Sequence, residues 1–216
     1  MEQATRPLLI LGTRTFAEET ADVASEIAGV QVVGFVENMD RQRCKEKLNG
    51  LPIIWVDELA ELSETHQVIC GLGTTHRSRY VEQVAQFKVS FATLVHPSAR
   101  ISGTSSVGEG SFISSGAIVA ARTQVGKHVV LNRGALVGHH SQVGSFATVG
   151  PGANIAGNSR VGEGTYIGIS AVVLDHISVG CHSVVGAGAV VTRDVPDNVQ
   201  VVGVPAKIVK RDIEGK

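Results

Sequence analysis

The sequence predicts an α/β domain built on a parallel sheet, followed by an all-β solenoid of stacked hexapeptide coils. Three observations predict it. Short apolar runs alternate with helical patterns up to about residue 94. Only six of the 25 glycines precede residue 95, and the other nineteen follow it. From Ile101 to Val191 every sixth residue is aliphatic. The 216 residues are 43% hydrophobic with a mean hydropathy of +0.17, which implies a buried core and excludes disorder.

Up to residue 94 the pattern alternates strand with helix. LLILG (8–12) precedes the helical FAEETADVASEIAG (16–29), then come VQVVGFVE (30–37), LPIIWV (51–56) and VDELAEL (56–62). QVICGLG (67–73), HRSRYVEQVAQF (76–87) and KVSFATLV (88–95) complete it. Strand and helix in turn imply βαβ units and a parallel sheet covered by helices. Ligands of such sheets sit at the carboxyl ends of the strands, here near Gly12, Glu37 and Gly71 to Gly73. Gly12 opens a segment with one glycine where a dinucleotide fingerprint needs three, so a redox cofactor is not expected. Glu37 and Asn38, ending the second strand, suit hydrogen bonds to a ribose or base, or equally a solvated strand end.

Beyond residue 94 the six-residue period dominates. All sixteen positions from Ile101 to Val191 in steps of six are Val, Ile or Leu. Glycine follows the aliphatic at nine of them, and Ala, Ser or Thr stands two before it at fourteen. Three short flat strands would close one triangular coil of eighteen residues, with aliphatics stacked inside and small residues letting the walls approach. Glycine is read here as the residue that tolerates the corner dihedrals. The sixteen hexapeptides amount to a little over five coils. Residues eighteen apart then lie above one another, about 4.8 Å apart. His139 and His140 therefore fall at a corner, pointing away from the core, and Gly157 lies one coil above His139.

Charge and cysteines narrow the partners. Nineteen Lys and Arg against twenty Asp and Glu leave a formal charge of −1, so no nucleic acid partner is expected. No apolar run is long enough for a membrane span, and no leader pattern precedes LLILG, which suggests a cytoplasmic protein. Three scattered cysteines, Cys44, Cys70 and Cys181, suit a reducing compartment and read as small buried hydrophobes.

The unbroken [LIV]-G-x-x-x-x repeat resembles the hexapeptide acyltransferases. More narrowly, a short nucleotide-binding-like domain, the linker LVHPSARIS (94–102), Asn132 seven residues before the pair Gly138-His139, and VGVPAKIVK (202–210) resemble the NeuD/PglD-like sugar acetyltransferases. The resemblance implies a Rossmann-like nucleotide-sugar domain over 1–94 and a left-handed parallel β-helix over 95–216. It implies acetyl transfer from acetyl-CoA to the amino group of a nucleotide-linked amino sugar, in a homotrimer with active sites between subunits. Sialic-acid O-acetylation is the alternative within the family, and a catalytically weakened nucleotide-sugar-binding solenoid is the non-enzymatic one. His139 matches the family's catalytic base, a role imidazole suits because an ammonium must lose a proton before it attacks a thioester. Gly157 matches a backbone amide that holds the acetyl oxygen, and Asn132 an asparagine near the site. Each also reads as an ordinary corner residue, Asn132 through its tolerance of left-handed dihedrals. Ile169, Gly186 and Ala187 match positions along the pantetheine arm. Lys207, with Lys210 and Arg211, offers charge to the phosphates of CoA, or forms a solvated tail.

Two departures stand out. The family usually places Asp or Glu directly after the base, where this chain has His140, which accepts a hydrogen bond without bringing negative charge. A second histidine found nine residues after the base in some members is Thr148 here. His66, His76 and His128 read as solvent-facing or turn-capping, and His96 as part of the linker. A zinc site built from His140, His176 and His182 is not expected, because two coils separate the first two by roughly 9.6 Å, too far for one metal.

Overall fold

A computed structural model describes residues 6–216, so the first five residues of the expected first domain lie outside the described residues. Strands β1 (Leu8–Leu11), β2 (Val32–Glu37), β3 (Lys47–Leu48), β4 (Leu51–Trp55), β5 (Gln67–Cys70) and β6 (Ser90–Phe91) form a sheet in the order β3-β4-β2-β1-β5-β6. All neighbours are parallel except β3 and β4. Those two form a hairpin through Asn49 and Gly50, both at positive φ (51° and 77°), the two-residue turn Asn-Gly favours. The alternation pattern passes over it because Lys47–Leu48 is too short to register. Helices α1 (Thr15–Ser25) and α3 (Arg77–Ala85) are shorter than the periodicity suggested, and VDELAEL splits into a 3-10 turn and α2 (Leu59–Leu62).

Strand β1 has all four residues buried. Leu8 and Ile10 pack with Ala17, Val23 and Phe35 on one face, whereas Leu9 and Leu11 pack with Val68, Tyr80 and Val84 on the other. A sheet covered on both sides needs this continuous apolar run. Phe112 and Val130, from the solenoid, join the cluster on the first face.

The coil strands, β7 (Leu94–Val95) to β23 (Val190–Val191), are two residues long, and each up to Val172–Val173 pairs in parallel with the strand eighteen residues on. They stack into an eight-stranded, a six-stranded and a five-stranded sheet, the three walls of a parallel β-helix. Inside run the aliphatics predicted by the period, from Ile113 to Val191, all nearly inaccessible to solvent. At the far end β24 (Val199–Val202) adds in parallel to Val184–Val185, and β25 (Lys207–Arg211) folds back antiparallel on β24. The segment read as a linker is already coil, since Leu94–Val95 pairs with Phe112–Ile113 and Arg100–Ile101 with Ile118–Val119. None of the helices among the described residues is long and apolar enough to cross a membrane.

The corners correct the reading of the glycines. Left-handed φ occurs three residues after the aliphatic, at Arg122, His140, Asn158 and His176 along one corner and at Gly116, Gly134, Gly152 and Gly188 along another. The recurrent glycine directly after the aliphatic is not left-handed. A Cβ there would come within 2.5 Å of the next coil's backbone at Gly138, Gly144 and Gly162, so the requirement is close approach of stacked coils. The small inward residues also do more than save space. Thr123, Ser141 and Ser159 are fully buried, and their hydroxyls donate to the carbonyls of Gly138, Ala156 and Leu174 in the coil above.

Candidate active site

The three corners of the β-helix carry different chemistry. His139 stands where the six-stranded wall meets the five-stranded one, Asn132 where the eight-stranded wall meets the six-stranded one, and His128 at the third corner. The eight-stranded wall is covered by the first sheet and its helices, with Phe112 and Val130 almost inaccessible.

At the His139 corner two exposed imidazoles meet edge to face, with centroids 5.2 Å apart and planes at 86°. Their Nδ1 atoms are 3.1 Å apart, so one donates to the other. His140 adopts φ +57°, a conformation His, Asn and Asp enter more readily than most residues. The stacking rule holds for the coil above, because the ring of His139 lies directly against Gly157. A Cβ on Gly157 would meet Cε1 at 2.7 Å and Nε2 at 2.8 Å. The Gly157 carbonyl accepts from the His176 N–H at 3.1 Å, and Asn158 donates to the His139 carbonyl at 2.8 Å. Among the described residues nothing accepts from the Gly157 N–H, and Ala121 and Asp175 in the same column are open likewise. The open amide belongs to the corner; the imidazole beside it is particular to this coil.

Asn132, Ile169, Gly186 and Ala187 lie at the next corner, across the six-stranded wall from His139. Asn132 is not left-handed, contrary to its reading as an αL corner residue, and its Oδ1 accepts from the Arg133 N–H at 2.8 Å. Its position follows the aliphatic, where φ stays negative. Ile169 is 52% exposed. Gly186 lies under Val202, whose pairing partner on β25 is Lys207, so Lys207 sits one strand from this corner.

The remaining predicted residues gather at the carboxyl edge of the first sheet. There β2 lies on one side of β1 and β5 on the other, the point where strand order reverses and open α/β sheets bind ligands. Gly12 follows β1 at φ +108°, and Gly71 follows β5 with Ala17 and Ile10 too close for any side chain. Gly73 packs under Phe16. Glu37 is spent internally. Its Oε1 accepts from the N–H groups of Asn38, Met39 and Asp40, and its Oε2 accepts from the Thr13 hydroxyl and lies 3.7 Å from Arg43 Nε. Burial alone would raise this carboxyl's pKa, but the Thr13 hydroxyl and the three backbone amides together lower it. Arg43 also donates to the hydroxyl and carbonyl of Thr13. Asn38 donates to Gln83 at 2.8 Å.

Within one chain, therefore, the predicted site falls into separate groups, and His139 faces none of the others. Several histidines differ from expectation. His128 is buried, stacked on Phe146 and edge to face with Phe91, with Nδ1 lacking a partner among the described residues and its pKa pushed down to about 4, chiefly by burial. His96 bonds Glu26 at 3.0 Å and Ser98 at 2.7 Å, tying the first coil to the end of α1. Thr148 lies on the covered wall and accepts from Arg77, away from His139. Thr13, Arg43 and Arg77 were missed because their partners lie 24 to 71 residues away, beyond any local pattern.

No family model matches the chain, and no curated protein matches it. Solved structures do. A histidine-to-asparagine variant of perosamine N-acetyltransferase from Caulobacter crescentus, in complex with CoA and GDP-perosamine, is 28% identical over 94% of this chain and 97% of that one, with a TM-score of 0.88. The acetyltransferase domain of PglB from Neisseria gonorrhoeae FA1090, in complex with acetyl coenzyme A, is 30% identical over 95% of this chain and 100% of that one, at 0.88. WeeI from Acinetobacter baumannii AYE is 25% identical over 95% and 100%, at 0.84.

Proposed function

The chain belongs to the NeuD/PglD-like sugar acetyltransferases, acyltransferases that use acetyl-CoA, and from that membership we propose that it acetylates the amino group of a nucleotide-linked amino sugar with His139 as general base. The observation that carries the reading is the imidazole of His139 seated on Gly157 beside an open backbone amide. In the perosamine enzyme a histidine was replaced and the complex still holds CoA and GDP-perosamine, which supports a histidine that serves chemistry more than binding.

In the tautomer this mechanism requires, His139 donates its Nδ1–H to Nδ1 of His140, 3.1 Å away, which leaves Nε2 to take a proton from the acceptor ammonium. The freed amine attacks the thioester carbonyl, forming the C–N bond. The Gly157 N–H meets the oxyanion, collapse breaks the C–S bond and expels the thiolate of CoA, the imidazolium of His139 returns its proton to that thiolate, and the new amide nitrogen gives its remaining extra proton to solvent. His140 thus supplies the orienting contact without a carboxylate.

The first sheet is read as a Rossmann-like nucleotide-sugar domain over 1–94, supported by its strand order, and the coils over 95–216 as winding left-handed, as the family implies. One wall, the six-stranded one, separates His139 from Asn132, Ile169, Gly186 and Ala187. The wall between them presents Ile118, Leu136, Val172 and Val190 outward, with Asn154 among them and Arg100 at its edge, and Ile118 is 40% exposed. An apolar wall of this kind suits self-association, and a homotrimer that buries it would set the His139 corner of one subunit against the Asn132 corner of the next.

The test is thiol release from acetyl-CoA against a panel of UDP- and GDP-linked amino sugars. The expected result is release with one of them that disappears in His139→Ala. Release only with sialic acid, or binding of a nucleotide sugar without release, overturns the reading.

A further inference from the structure

Arg77 is 1% exposed and heads the fully buried side chains by size. Its guanidinium makes five hydrogen bonds. Nε and Nη2 donate to the His128 carbonyl at 2.9 and 2.8 Å, and Nη2 also to that of Ala147 at 2.7 Å. Nη1 donates to the Thr74 carbonyl and to Thr148 Oγ1, both at 2.7 Å. Among the described residues no carboxylate pairs with it. Burial pulls its pKa down to about 10, so it remains a cation near neutral pH. A buried cation without a counter-charge is costly, and an apolar side chain would dock helix on solenoid more cheaply. What only arginine adds is five donors in a rigid fork.

The fork and Thr148 hold one loop. Thr148 Oγ1 accepts from Arg77 and donates to the Gly73 carbonyl at 3.4 Å, so the carbonyls of Gly73 and Thr74 are both turned toward the solenoid. In a planar trans peptide the N–H points opposite to the C=O. The amides of Thr74 and Thr75 are therefore turned the other way. The Thr75 N–H donates to the Lys216 main-chain oxygen at 2.6 Å, to which both threonine hydroxyls also donate, and the segment carrying that oxygen is itself held along the β-helix, where the Gly215 N–H donates to the His182 carbonyl. This loop follows β5 at the edge where strand order reverses, in a chain that lacks the glycine fingerprint after β1.

We infer that Arg77 is a positioning residue for the acceptor: it pins the Gly73–Thr75 loop to the β-helix so that the loop's amides and hydroxyls receive a diphosphate oxygen of the nucleotide sugar. The inference rests on the nucleotide-sugar reading above. On this proposal a diphosphate oxygen takes the position that the Lys216 main-chain oxygen fills here, which requires residues 213–216 to give up their hydrogen bonds to Asn198 and His182.

The experiment measures Kd for GDP, UDP and pyrophosphate by calorimetry, and KM for acetyl-CoA and acceptor, in wild type, Arg77→Met, Arg77→Lys and Thr148→Val, with thermal unfolding alongside. Arg77→Met is expected to weaken nucleoside diphosphate about tenfold or more, the loss of charge-assisted bonds, while KM for acetyl-CoA stays within about twofold. Arg77→Lys recovers part of the affinity. Should Arg77→Met fail to fold, Thr148→Val decides, since it frees the Gly73 carbonyl without removing the charge, and a loss of about threefold in diphosphate affinity is expected. Wild-type affinity in folded Arg77→Met, or in Thr148→Val when the former does not fold, overturns the inference and leaves the nucleotide-sugar reading standing. A wild type that binds no nucleoside diphosphate at all overturns both.

Discussion

The ring of His139 rests on a residue without a side chain, and both halves of that contact are testable. His139→Ala should lower kcat about 10²–10⁴-fold with little change in thermal unfolding, because the residue is exposed and the base alone is removed. Gly157→Ala should lower kcat about 10²-fold while leaving substrate binding nearly intact. A Cβ 2.7–2.8 Å from Cε1 and Nε2 must displace the imidazole, and small displacements of a catalytic group are costly. His128 makes a different prediction. Its pKa lies at about 4 in the folded chain against 6.5 ordinarily, so between those values the unfolded chain holds a proton the folded one refuses. Stability is then full above pH 6.5 and falls as pH drops toward 4, by up to about 3 kcal/mol. Urea unfolding at pH 7 and pH 5 should show the loss, and His128→Phe should shrink it, since Phe146 already occupies the same corner position at φ +59°.

Within the coils, the two kinds of glycine predict opposite sensitivities. Gly162→Ala, whose Cβ would lie 2.5 Å from the Cys181 amide nitrogen, should cost about 1–3 kcal/mol in urea unfolding by forcing two coils apart. Gly116→Asn should cost less than about 1 kcal/mol, because at φ +66° nothing lies closer than 3.9 Å to its Cβ position and Asn tolerates that region. If Gly116→Asn proves the costlier change, corner dihedrals govern after all. The period of six made the coil strands legible down to their register, since Val137 pairs with Ile155 as eighteen-residue stacking requires. It did not reveal which glycine serves the turn and which serves the stacking, because both recur every six or eighteen residues and only the dihedrals separate them. Strand β3, and with it the hairpin to β4, escaped for a simpler reason: an isolated two-residue strand outside the six-residue repeat carries no pattern of its own.

For the molecule as a whole, the proposed trimer would tie activity to association through the six-stranded wall. Leu136→Arg, on that wall and away from both corners, should yield monomers by light scattering and lose acetyl transfer while keeping nucleoside diphosphate binding. Monomers with undiminished turnover would sink the shared-site reading. Stacking by eighteen placed Gly157 over His139, whereas the role of His139 as base and the set Ile169, Gly186 and Ala187 came from the family resemblance. The amino-acid sequence by itself determined the coil register, the corner that carries His139 and the family, because a six-residue repeat converts sequence separation directly into height along one axis. Only the tertiary structure decided what Glu37, Arg77, Thr148 and His128 do. Their partners come from other elements, and burial of a charge or an imidazole depends on packing that no local pattern encodes.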